Sequence, residues 1–92
     1  MKATELVAWN LRRLRVARSL PQEILAADAE IDRSYVSRLE RCLENPTVGL
    51  LQKLADALEV HVSEFLREPS AQETRTDPLR GGRKPKKATL RQ

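Results

Sequence analysis

The stretch Ile31-Asp32-Arg33-Ser34-Tyr35-Val36-Ser37-Arg38-Leu39-Glu40-Arg41 decides how this chain is read. Asp32 is a good helix N-cap, so a helix is expected from there to about Arg41. At about 100° per residue, with Arg33 at zero, Ser37 falls at about 40°, Arg41 at about 80°, Ser34 at about 100° and Arg38 at about 140°. Val36 falls at about 300° and Leu39 at about 240°, on the opposite side, with Tyr35 on the border at about 200°. One arc therefore carries only Arg and Ser, and the other is aliphatic. A charged arc is usually no more than a solvated face. Three arginines and two small hydroxyls nevertheless suit the major groove of a duplex, because Arg can bond two acceptors of guanine and Ser allows close approach.

Working outward, a short helix is expected before this one, opening after Ser19-Leu20-Pro21, with Pro21 suited to a first turn. Leu25, Ala26 and Ala29 form its apolar side. The tight connection Ala29 to Asp32 gives the two helices helix-turn-helix spacing over about residues 21–41. A first helix is expected from about Thr4 to Arg18, with Val7, Leu11 and Leu14 in one stripe. A fourth follows the cap Thr47 and buries Val48, Leu51, Leu54, Ala55 and Leu58. A short fifth spans about Val62 to Glu68 and ends at Pro69. The fold class is thus all-α, with five helices in one compact domain, residues 1–69. Residues 70–92 carry Pro, Gly, Ser, Thr and Lys/Arg, and are expected to form a flexible basic tail.

Composition agrees with this division. Of 92 residues only 3% are aromatic, so the core must be aliphatic. The net charge of +4 is unevenly placed. Residues 70–92 hold seven Lys/Arg against two acids, a net of +5, and residues 1–69 hold ten against eleven, a net of −1. Basic residues of the domain must therefore be sorted onto one face if it binds nucleic acid. The run Arg83-Lys84-Pro85-Lys86-Lys87 could meet phosphates unspecifically, or serve only as a solubilising end.

Several classes lack support. No apolar run approaches the about 20 residues that cross a bilayer, and no signal-peptide pattern opens the chain, so a cytoplasmic, nucleoid-associated protein is expected. The single Cys42 forms no intrachain disulfide and reads as a turn residue. His61 reads as a cap or surface residue, and Trp9 as partly buried. No phosphate loop, metal cluster or nucleophile–base pattern is present, so neither an enzyme, a metal nor a cofactor is expected.

The segments Leu20 to Ala26, Ile31 to Arg41, Asn45-Pro46-Thr47 and Leu54-Ala55-Asp56-Ala57-Leu58 together resemble the Xre/Cro/phage-repressor (Cro/C1-type) helix-turn-helix family over about residues 6–66. The third helix is similar to that of restriction–modification controller proteins. The resemblance implies a lambda-repressor-like domain. It implies base-reading roles for Arg33, Ser34 and Arg38. It also implies DNA-backbone roles for Gln22, Tyr35, Ser37, Arg41 and Asn45, the last two bounding a backbone-contacting segment. It implies an ion pair between Arg15 and Glu40. On the helical wheel Glu40 falls at about 340°, beside Val36 and on the core side. Dimerisation through the last helix is implied as well. There Val62, Phe65 and Leu66 are more apolar than so short a helix needs. Where the family often has Gly, this chain has Ser19, Glu30, Cys42 and Glu59. Such residues resist positive φ, at about 1 kcal/mol or more each, so altered turns or lower stability are expected.

These readings lead to a sequence-specific transcriptional regulator, a homodimer on double-stranded DNA with a palindromic or near-palindromic operator, able to act as a repressor, an activator or both. The alternative is an antitoxin-type protein that binds a partner toxin through the tail and autoregulates its operon.

Overall fold

Thr47 and Asp32 cap two helices in the same way, each side chain accepting a backbone N–H of the first turn, from Leu50 and Ser34 respectively. In the computed structural model, which describes residues 1–70, the chain forms α1 (Ala3–Ala17), α2 (Gln22–Ala29), α3 (Arg33–Glu40) and α4 (Val48–Leu58). A 3-10 turn, Val62–Leu66, follows them. The architecture is all-helical among the described residues. The expected fifth α-helix is this single 3-10 turn. Five residues are too few to sustain an α-helix, and the chain leaves it in an extended conformation at Arg67. His61 caps it, Nδ1 accepting the Ser63 amide at 3.1 Å. Expectations for the tail beyond residue 70, including its charge run and its role as a partner segment, lie outside the described residues.

The core is aliphatic apart from one ring. Leu11, Leu25, Val36, Leu39, Leu54, Ala55, Leu58 and Phe65 are fully or almost fully buried, and the described helices wrap around them. α1 packs on α3 and the 3-10 turn, while α2 packs on α3 and α4. Val48 departs from expectation. It is 77% exposed, because it is the first residue of α4 and precedes the stripe that begins at Leu51.

Ser19, Glu30, Cys42 and Glu59 all adopt left-handed backbone, with φ between 55° and 63°. The turns keep the geometry that glycine would favour, so the altered turns are not found and strain remains. Each site is held by the same pair of hydrogen bonds. The left-handed residue donates three positions back, and the next residue five back, as in Leu20 to Arg15, Ile31 to Ala26, Leu43 to Arg38 and Val60 to Ala55. The residue after each turn is apolar, and three of the four (Leu20, Ile31 and Val60) pack against the core. Those anchors offset the cost of a side chain at positive φ.

Asn10 is the one fully buried polar residue among those described. Its Nδ2 donates to the carbonyls of Phe65 and Arg67 at 3.0 and 2.8 Å, and its Oδ1 accepts from Arg13 Nε at 3.1 Å. This side chain fastens the 3-10 turn and the segment after it to α1.

Candidate nucleic-acid interface

Val36 and Leu39 fix how α3 is rolled: both are buried, which turns the opposite arc outward. On that arc Arg33, Ser34, Ser37, Arg38 and Arg41 line one open concavity of about 350 Å³ together with Gln22, the first residue of α2. Six of the eight residues expected at DNA thus converge. Tyr35 and Asn45 do not line the concavity. The Tyr35 ring sits under Arg38, with the guanidinium carbon 5.6 Å from the ring centre. Partial burial, together with the charge of Glu44, pushes the Tyr35 phenol above its ordinary pKa.

The concavity rests on an ionic knot. Arg15 donates from Nε and Nη2 to the two carboxylate oxygens of Glu40 at 2.6 and 3.0 Å, and from Nη1 to the Leu20 carbonyl at 2.7 Å. The Glu40 side chain is only 4% exposed. Gln22 Nε2 donates to the same carboxylate at 3.1 Å, and Arg12 approaches it at 3.7 Å. Gln22 is therefore tied to α3 as well as facing the concavity. One carboxylate joins α1, the start of α2 and the end of α3, which sets the angle between the two helices of the motif.

The arginines differ in freedom. Arg33 is exposed and has only a loose contact with Glu23 at 3.8 Å. Arg41 donates to the Ser37 carbonyl at 3.4 Å. Arg38 is held: Nε donates to Glu44 at 2.6 Å and Nη1 to Ser34 Oγ at 3.3 Å. Ser34 Oγ in turn donates to Asp32 Oδ1 at 3.0 Å, and the Ser34 amide meets the same oxygen. These two bonds from Ser34 hold the Asp32 carboxyl below its usual pKa. The resemblance places Glu44 only within the backbone-contacting segment from Arg41 to Asn45 and gives it no partner. Only the path of the loop after α3 carries it back to Arg38, and nothing in the sequence signals that path.

Of the residues expected at a dimer contact, Phe65 is fully buried within its own chain. Its ring fills the core between α1 and α4, so it is not available to a second copy. Val62 is half-buried and packs on the core, while Leu66 is 53% exposed. No group of residues able to hold a metal ion occurs among those described, and no described helix is long and apolar enough to cross a membrane.

Comparison with known proteins agrees with this geometry. The chain is 38% identical over 63 residues to a hypothetical transcription factor of Neisseria meningitidis, an alignment covering 68% of this chain and 59% of that protein. It is similar in structure to the restriction-modification controller protein C.AhdI from Aeromonas hydrophila. That match has a TM-score of 0.66 and 39% identity, and covers 67% of this chain and 94% of the other. It is also similar to the controller protein C.Esp1396I, solved as a tetramer in complex with its natural 35 base-pair operator. Here the TM-score is 0.64 and the identity 27%, over 73% and 99% of the two chains. The helix-turn-helix family HTH_3 matches residues 11–65, more than half the sequence, and the chain belongs to that family.

Proposed function

We propose that the chain is a sequence-specific DNA-binding transcription regulator that places α3 in the major groove and acts as a homodimer on a palindromic or near-palindromic operator. The observation that carries the reading is the convergence of Gln22, Arg33, Ser34, Ser37, Arg38 and Arg41 on one open concavity, on a domain whose net charge over residues 1–69 is −1. Sorting cations onto one face is what duplex binding requires. The related controller protein solved on its operator supports the same reading.

In this arrangement Arg33 and Arg38 reach guanine O6 and N7, and Ser34 lets the helix come close. Gln22, Tyr35, Ser37, Arg41 and Asn45 meet the sugar-phosphate backbone and set register. The first turn of α2 lacks a side-chain cap, which suits an amide–phosphate contact beside Gln22. A two-fold partner, docked through the exposed Leu66 and the rim of Val62, sets two α3 helices about 34 Å apart, one duplex turn.

Selection of bound duplexes from a random pool tests this directly. A motif with two inverted half-sites is expected. Arg33→Ala should then relax base preference at defined positions, while Arg41→Ala weakens all duplexes alike. A pool that yields no motif, with all duplexes bound equally, overturns the reading.

A further inference from the structure

An acidic side chain on a surface meant for phosphates calls for a reason. Glu44 lies in the loop between α3 and α4, with its side chain 27% exposed, and it grips Arg38 Nε at 2.6 Å. Arg38 is at the same time flanked by Ser34 Oγ at one terminal nitrogen and by the Tyr35 ring beneath its plane. Asp32 holds Ser34 in place. Asp32, Ser34, Arg38 and Glu44 thus form one chain of bonded side chains along the outer arc, from the cap of α3 to the loop beyond it.

Resting on the proposed DNA reading, we propose that Glu44 is a positioning residue that sets the specificity of the α3 face through Arg38. Two physical effects follow from its place. A free arginine loses rotamer freedom when it binds a base, and that loss opposes binding. Arg38 has given up much of that freedom before any DNA arrives. Glu44 takes the Nε–H and Ser34 Oγ one N–H of a terminal nitrogen, which leaves an N–H on each terminal nitrogen for a two-acceptor base such as guanine. The second effect is charge. Glu44 neutralises Arg38 toward a bare phosphate, which needs only a cation, while a guanine edge needs a cation at a fixed angle. The pair therefore weakens binding to arbitrary duplex more than binding to the correct base. Arg33, exposed and loosely held, has no such restraint, so the two arginines are expected to differ in how sharply they select.

Glu44→Gln and Glu44→Ala separate geometry from charge, since Gln can still accept from Nε. Each variant, and the parent, is titrated with the duplex selected from a random pool and with a scrambled duplex, over about 50 to 200 mM salt. Both variants should bind the scrambled duplex more tightly, by about threefold to tenfold, with a steeper salt dependence. Glu44→Ala should also lose about tenfold in preference at the base pair that Arg38→Ala relaxes, while Glu44→Gln retains most of it. In an Arg38→Ala background, Glu44→Ala should change that preference no further, which a merely structural loop residue would not achieve. A parent-like ratio of selected to scrambled affinity in both variants overturns the role of Glu44 and leaves the DNA reading standing. A parent that selects no duplex overturns both.

Discussion

The Glu40 carboxylate at the end of α3 is clasped by the Arg15 guanidinium of α1 through two hydrogen bonds, at 2.6 and 3.0 Å, and is nearly sealed from water. Removing either partner strands a buried charge, which costs about 3 kcal/mol or more. Arg15→Ala should lower the unfolding free energy by that amount in urea titration. Glu40→Gln should cost less, because Gln still accepts one bond. Its DNA affinity should fall beyond what stability explains, since Gln22 loses a charged anchor. An Arg15→Ala midpoint equal to the parent's would show that the clasp does not hold α1 to α3.

The cap of α3 predicts an acid limb. Asp32 is held below its ordinary pKa by the two bonds from Ser34, so its ionised form favours the folded state. Its contribution is complete above the ordinary carboxylate value, about 3.9, and is lost as pH falls through the lower folded value. Asp32→Asn should therefore melt below the parent at pH 6, and the gap should narrow as pH falls below the ordinary carboxylate range. A gap that does not narrow on acidification would contradict the sign of this linkage.

Left-handed backbone at Glu30 predicts a gain. Glycine adopts φ near 61° without the clash that a Cβ brings, though it has more freedom to lose on folding. Glu30→Gly should stabilise the domain by about 0.5 kcal/mol, and Glu30→Val should destabilise it by more than that. Thermal unfolding of both variants checks the ordering; Val melting above Gly would mean that strain at this turn is negligible.

Phe65 and Leu66 are neighbours with opposite fates. Phe65→Ala should cost about 3–5 kcal/mol, because its ring fills the core. Leu66→Glu should leave the fold intact and weaken self-association, since that side chain is exposed. Sedimentation of Leu66→Glu beside the parent at micromolar concentration reads this. A folded, fully dimeric Leu66→Glu would place the two-fold contact elsewhere.

Much of this protein was settled by local sequence. The roll of α3 followed from the spacing of Val36 and Leu39, because helical period is a property of the backbone and needs no partner. The caps Asp32 and Thr47 were readable for the same reason: a short polar side chain and the amides of the next turn are close in sequence. Tertiary structure decided the rest. Only the path of the loop after α3 brings Glu44 to Arg38. Only the return of the chain across α1 buries Phe65 and makes Asn10 a fastener for the segment after it. The departures from glycine at the helix ends could not be judged from residue type either. Positive φ is tolerated at Ser19, Glu30 and Glu59 because Leu20, Ile31 and Val60 find the core one residue later. Packing at a distance supplies that energy, and a one-dimensional pattern does not contain it.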